Sequence, residues 1–394
     1  MTRFFGGGAS SVSINIVGGT ITDIWKGVKD RSVPMSIFGM TSVVGIALGP
    51  FIGGAIQRNL SWRWIFWTQL IFDAGCLPLF WFILRETRGD VILAKRAKKL
   101  RKQGRNAYAK SELNKQNVWE MIKVSFKRPT KMLITEFVVI SFTIWVSFAW
   151  GILFLFQSSI TQTFQSAYGF SVFQTSLIQL AISAGAVVAT IINPIQDRLY
   201  MQSAKRNKES PGTPIPEARL YFSVPGSLLF TAGLFWYGWT LSPDIHWIVP
   251  ALGIAAVGIG IYSIYLGVVN YLADAYEKYA ASALSAASLG RNTFGAFLPL
   301  GSPALYNNLG FGWGSTLLGF IAAALSLAPV VLLWKGVQIR ARSPFMSQST
   351  YDEGESEKRQ QSWSSAAGRQ VSRAGRSQGM PGPQGQAAPA APTV

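Results

Sequence analysis

Long apolar stretches alternate with short polar ones along most of the chain. Crossing the hydrocarbon of a bilayer takes a helix of roughly 20 mainly apolar residues. Runs of that kind stand at about 3–22, 34–56, 64–84, 132–157, 172–196, 221–241, 247–272, 280–305 and 314–335. They predict an all-α, polytopic membrane protein, a helical bundle with about nine transmembrane helices. The first run, FFGGGASSVSINIVGG, is the richest in Gly and Ser, small residues that are common where membrane helices approach closely.

Composition agrees with lipid as the surrounding medium. Hydrophobic residues make up 49% of the chain and charged residues 14%, against about a quarter charged in an ordinary soluble domain. The net charge of +18 would suit a nucleic-acid partner if it covered one folded surface, but the basic residues sit between the apolar runs. Connectors 23–33, 85–131, 197–220 and 273–279 hold 24 Lys and Arg, whereas 57–63, 158–171, 242–246 and 306–313 hold two, Arg58 and Arg63. Insertion leaves basic connectors in the cytoplasm, so the first set is placed inside. Eight more basic residues from Lys335 to Arg376 put the C-terminus there as well. Nine spans then leave the N-terminus outside, although Met1 to Arg3 offers no signal peptide and Arg3 itself favours retention inside.

The 85–131 connector divides three spans from six. The expected organisation is a partial helical half at 1–84, a basic cytoplasmic linker at 85–131, a six-helix half at 132–345 and a disordered cytoplasmic tail at 346–394. The linker joins LAKRAKKLRKQGR to the amphipathic stretch NVWEMIKVSFKRP, a pattern that lies along anionic headgroups. The tail is rich in Ser, Gln, Gly, Pro and Arg and has too little apolar surface to order itself.

One Cys, Cys76, and one His, His246, provide neither a disulfide framework nor a Cys/His metal cluster. The loops carry no Gly-rich phosphate loop, paired-His motif or nucleophile elbow, which argues against an enzyme and against ATP-driven pumping. No cofactor, metal or stable protein partner is implied. The expected partners are the lipid bilayer, a small-molecule substrate and the ions of a gradient.

Charge at membrane depth is costly and is usually functional or paired. Asp73, near the middle of the third run, and Arg291, well inside the eighth, are the strongest candidates on that ground. A proton-exchanging carboxylate needs burial to raise its pKa, and an approaching arginine lowers it again. Asp73 and Arg291 have the chemistry for such a relay, if conformational change brings them together. Glu136 lies near the cytoplasmic start of the fourth run, where an exposed or headgroup-level carboxylate is cheap. Asn270, Tyr271 and Asp274 fall at the end of the seventh run, with Lys278 near enough in sequence to balance Asp274. Trp64, Trp67, Trp145, Trp150, Trp236, Tyr237 and Trp239 read as interfacial anchors or packing residues, and those of the fourth run offer faces for a cationic substrate.

The second run carries GIALGPFIGG, with Gly45, Gly49, Pro50, Gly53 and Gly54. Small residues there admit close helix contact, and the proline removes one backbone hydrogen bond. The eighth run repeats the theme in GRNTFGAFLPLGSP, as expected of transporters built from internal repeats. GIALGPFIGG resembles the GxxxGPxxGG antiporter signature of the drug:proton antiporters in the major facilitator superfamily. RFFGGG, beginning at Arg3, resembles the signature of the helix before it, with Gly6 where that signature has Gln. PEARL, IHWIVP, NYLADAY, AASAL and RNTFGAFLPL are similar to the fungal branch containing polyamine and multidrug exporters.

The resemblance spans Arg3 to Phe345 and implies a proton-coupled exporter of small organic cations or drug-like or polyamine compounds, working by alternating access. Asp197 and Arg198, in QDRLY, resemble the loop motifs that latch neighbouring helices at their cytoplasmic ends. Twelve spans are usual in that family, so the chain is expected to start at the counterpart of the fourth and to lack the first three. A nutrient importer of the same fold and a non-transporting fragment are the alternatives. The plasma membrane is the expected location, with the vacuolar membrane second.

Overall fold

The computed structural model of the chain describes residues 2–25, 28–109, 112, 118–207, 213–276 and 279–346. Among them the secondary structure is helical. In hydrocarbon the backbone must satisfy its own N–H and C=O groups, which a helix does within one segment. The helices are α1 (Thr2–Ile24), α2 (Val28–Asn59), α3 (Arg63–Ile83), α4 (Gly89–Lys102), α5 (Val118–Thr135), α6 (Phe137–Tyr168) and α7 (Val172–Ser203). A 3-10 turn at Pro216–Leu220 leads into α8 (Ser223–Thr240), α9 (Ile248–Tyr276), α10 (Ala280–Phe297), α11 (Ser302–Leu325) and α12 (Leu327–Arg342).

Six helical runs among the described residues are long and apolar enough to cross a membrane: Asp30–Asn59, Arg63–Ile83, Phe137–Tyr168, Val172–Arg206, Ile248–Tyr276 and Ala280–Arg342. The last contains both the eighth and ninth expected spans. The first and sixth expected spans are helical as α1 and α8, with composition less apolar than that measure requires.

Local chemistry sets the ends. Gly169 takes a left-handed φ of 65° and closes α6, a conformation that an L side chain resists. Two residues later Ser171 and Gln174 cap α7 reciprocally, through bonds of 3.3 and 2.8 Å. The expected continuous span at 280–305 is interrupted: α10 ends in a 3-10 turn at Leu298–Gly301, where Pro299 supplies no N–H to carry the α-helix on. Gly310, at φ 75°, breaks α11 inside the expected exterior connector.

The described residues up to Ile339 form one packed unit, and those from Arg340 to Met346 fall outside it. The core of that unit is α9, which packs on α7, α8, α6 and α10. Tyr262, Tyr271 and Tyr276 are fully buried along it, as are Phe142, Trp145 and Phe156 of α6 and Phe230 and Tyr237 of α8. Small residues set these distances. At Gly185 and Gly258 an added Cβ would meet the backbone of the partner helix at Ala255 and Ile182. Although the 85–131 connector separates α2 from the later helices in sequence, α2 lies along α7 and touches α9. By contrast α3 has no buried residue, and Trp81 and Phe82 are 83% and 81% exposed, as suits a lipid-facing helix.

In the linker, α4 carries the basic residues and α5 is amphipathic, with Trp119 and Phe126 exposed. Arg101 folds the connection back on itself, pairing with Glu112 at 2.7 and 3.0 Å and stacking on Tyr108. The Glu112 carboxylate raises the Arg101 pKa further. Residues 347–394, nearly all of the expected tail, lie outside the described residues.

Candidate transport site and its latch

Three connectors assigned to the cytoplasm by their charge meet at one end of the bundle. Arg219, from the 3-10 turn before α8, donates through Nε to Asp274 at the end of α9, at 2.7 Å, and lies 3.7 Å from Asp197 near the end of α7. Its guanidinium covers the ring of Tyr200, 3.6 Å from the centroid, and the Tyr200 hydroxyl donates to Asp274 at 2.9 Å. Arg31, at the start of α2, approaches the other oxygen of Asp274 to 3.7 Å. Burial of Arg219, whose side chain is 5% exposed, disfavours its charge, but Asp274, Tyr200 and Asp197 outweigh that and raise its pKa. Arg219 therefore ties the turn before α8 to α7 and α9 as a permanent cation, and Arg31 joins α2 to them through the shared Asp274.

Of the expected latch pair, Asp197 takes part and Arg198 does not. One residue further round the helix, Arg198 is exposed and makes none of the ion pairs among the described residues; Arg219 fills its place. Asn270 lines a narrow cleft beside the cluster, with Asn193, Asp197, Arg219 and Tyr262. Tyr271 is turned into the core, edge-on to Phe142 at 5.2 Å. Lys278, the expected balance for Asp274, lies outside the described residues.

The contact of α2 with the other helices is not made by most of the glycine signature. Ser36, Gly39, Val43, Ala47 and Gly54 form the buried stripe, with Ser36 hydrogen-bonded to the Tyr262 hydroxyl at 2.7 Å. A Cβ on Gly54 would lie 2.6 Å from Ser176 Oγ of α7, whereas Gly45, Gly49 and Gly53 have open space around them. At 100° per residue Gly45 and Gly49 fall on the other side of the helix and Gly53 at the flank of the stripe. Pro50 acts differently. Its missing N–H leaves the carbonyl of Ile46 without its helical donor, and Gln157 Nε2 of α6 reaches that carbonyl at 3.4 Å. Gln157 is in turn tied to α7, because its own carbonyl accepts from Gln179 Nε2 at 3.1 Å.

Arg291 sits on α10 between α6 and α9. Its guanidinium carbon lies 4.8 Å from the centre of the Trp150 ring and 5.2 Å from that of Tyr265. Close approach of α10 to α6 is permitted by Gly290, against Ser147, and by Gly295, against Phe154. Asp73 is exposed on α3 and belongs to no ion pair among the described residues. This conformation therefore does not bring Asp73 and Arg291 together. Glu136 corrects the expectation of an exposed carboxylate: it is 2% exposed. It occupies the extended break between α5 and α6, which turns the side chain inward to accept from the Tyr276 hydroxyl at 3.0 Å. Arg3 stands on the backbone of α1, with its side chain outside the described set.

At the opposite end, connectors assigned to the exterior also meet. Gln162 donates to Asn307 at 2.7 Å, and Trp239 bonds Thr316 at 2.9 Å while packing edge-on to Trp313. Trp64, Trp67, Trp236 and Trp239 are exposed, as interfacial anchors are, whereas Trp145, Trp150 and Tyr237 are buried packing residues. Among the described residues no three His, Cys, Asp or Glu side chains gather to hold a metal ion. Sequence reasoning missed Arg219, Arg31, Tyr200 and Gln157. Arg219 and Tyr200 stood in the quoted PEARL and QDRLY, and the proline of the glycine signature was the available sign that some donor must reach Ile46.

The Major Facilitator Superfamily profile matches residues 1–298. The MFS transporter cpaT of Aspergillus oryzae is 34% identical over 348 residues, which are 87% of this chain and 69% of that protein. The efflux pump radE of Floropilus chiversii is 34% identical over 87% of this chain and 64% of its own length. The citrinin biosynthesis cluster MFS transporter mrr1 of Monascus ruber is 34% identical over 88% and 69%. The chain thus spans about two thirds of the length of these relatives, between 64% and 69%.

Proposed function

From the premise that the chain belongs to the major facilitator superfamily, and is a multi-pass membrane transporter rather than an enzyme, we propose that it exports small amphiphilic, drug-like compounds in exchange for protons. Alternating access would open and close the two ends of the bundle. The observation that carries this reading is the cytoplasmic cluster, in which Arg31 of α2 shares Asp274 with Arg219. That contact joins the helix bearing the antiporter-like signature to the later helices, and its rupture would open the cytoplasmic end. One relative is named an efflux pump, which supports export over nutrient uptake.

Asp73 is the proposed proton carrier. Charge is costly at bilayer depth, and Asp73 stands midway along a 21-residue apolar helix. Organic cations and polyamines fit the bundle less well than neutral or weakly charged amphiphiles, because the charge set among the rings of α6, α9 and α10 is the cation Arg291. The plasma membrane is the proposed location, ahead of the vacuolar membrane.

The test is accumulation of a fluorescent amphiphile in inside-out vesicles carrying the full chain, with and without an inward-acid gradient. Gradient-dependent accumulation that is lost in Asp73→Asn, at equal protein level, is the expected result. Transport by Asp73→Asn with unchanged pH dependence removes Asp73 as carrier; accumulation indifferent to the gradient removes proton coupling.

A further inference from the structure

We propose that Arg291, set between Trp150 and Tyr265, docks an anionic oxygen of the transported molecule, a carboxylate or enolate carried on a planar ring. The guanidinium is held by faces rather than by charges. Trp150 and Tyr265 stand 4.9 Å apart at 41°, and the cation lies within about 5 Å of both, a distance at which ring quadrupoles attract it. A guanidinium carries five N–H donors in a fixed fork. Among the described residues Arg291 uses one of them, in a long bond of 3.4 Å from a terminal nitrogen to Ser288. Its Nε is buried without a partner, and all four ion pairs of the described residues belong to Arg31, Arg101 and Arg219. Four donors aimed at no carboxylate, on a helix of a membrane bundle, leave a place that a bidentate acceptor fits.

Position favours a transported ligand over a fixed structural one. Arg291 is half-buried, away from both ends of α10. Tyr265 borders the contact with α2: a side chain added at Gly39 would lie 3.7 Å from the Tyr265 ring and 3.6 Å from that of Tyr262. A molecule seated on Arg291 therefore lies beside the surface that separates when α2 moves from α9. The two rings also offer a stacking face to a planar substrate, so charge and ring are recognised together.

This inference rests on the transport reading for what happens to the bound molecule, but binding is measurable without transport. The full chain in phosphatidylcholine nanodiscs would be titrated with 2-naphthoate, its methyl ester and a naphthylmethyl-trimethylammonium salt, by equilibrium dialysis. Expected is tighter binding of the acid than of the ester or the ammonium salt. Arg291→Gln should weaken the acid about 10- to 100-fold, the range of a charge-assisted hydrogen bond, while leaving the ester unchanged. Arg291→Lys, which keeps charge without the fork, should restore part of the loss.

Equal binding of acid and ester by the wild type, or no binding of the acid, overturns the proposal, and this comparison decides even if Arg291→Gln fails to fold. Acid binding that ignores Arg291→Gln overturns it too. Vesicles that move no compound while nanodiscs bind the acid through Arg291 would end the export reading and leave the docking site standing. Gradient-driven export alongside Arg291-independent binding would do the reverse.

Discussion

Gln157 of α6 donates to the carbonyl of Ile46 in α2, 3.4 Å away, at the one turn where Pro50 cannot. A proline that weakens one helix is thus answered by an amide from another, and the answer ties the two together. Replacing Gln157 by Leu leaves a carbonyl without its donor, at a cost of about 1–3 kcal/mol. Pro50→Ala restores the helical N–H, so the same Gln157→Leu change should cost less in that background. A double-mutant cycle on thermal stability measures the difference; additive losses would mean that the amide does not serve the Ile46 carbonyl.

Asp274 is shared by two arginines of unequal burial, and its variants should separate them. Asp274→Asn leaves Arg219, with its side chain 5% exposed, without its main counter-charge, which in a buried setting costs about 3–5 kcal/mol. Arg31→Ala removes a partner 29% exposed and should cost about 1 kcal/mol or less. Both should open the cytoplasmic end. In a Cys76→Ser background, Ser36→Cys should react faster with an impermeant maleimide in inside-out vesicles once either charge is gone, and an unchanged rate would exclude the latch.

The glycines of the antiporter-like signature should differ in tolerance. Gly54→Leu forces α2 away from Ser176 on α7, an overpacking that costs about 1–3 kcal/mol. Gly45→Ala meets open space and should keep wild-type stability. Similar melting temperatures for the two would show that the α2 and α7 contact is looser than described.

Orientation can be checked at Gln103, just past the end of α4. With Cys76, the single cysteine, changed to Ser, Gln103→Cys should label only after the membrane is permeabilised. Labelling in intact cells would put the basic linker outside and reverse the topology.

Much of the fold was legible because bilayer crossing leaves a coarse signal. The apolar runs at 34–56, 64–84, 172–196 and 247–272 fall within α2, α3, α7 and α9 apart from one residue past the end of α3 and one before the start of α9. Side-chain direction was less legible. Glu136 looked like a headgroup-level carboxylate from its place beside a basic linker, but the break between α5 and α6 is a tertiary feature and turns it inward. Arg198 stood next to Asp197 in sequence, yet neighbours on a helix point 100° apart, so the partner came from another connector as Arg219. The glycine signature gave the close contact at Gly54 and not the open side at Gly45 and Gly49.

Of the ion pairs in the proposed latch, that between Arg31 and Asp274 is the most hydrated, at 3.7 Å with 29% of the arginine side chain exposed. Pairs so placed are screened by dissolved ions, over about 8 Å at physiological ionic strength. The buried bond of Arg219 to the same carboxylate is shielded from that effect. Rising salt should therefore loosen the attachment of α2 while the rest of the cluster persists, which on the proposed mechanism makes ionic strength a dial on how long the inner gate stays shut.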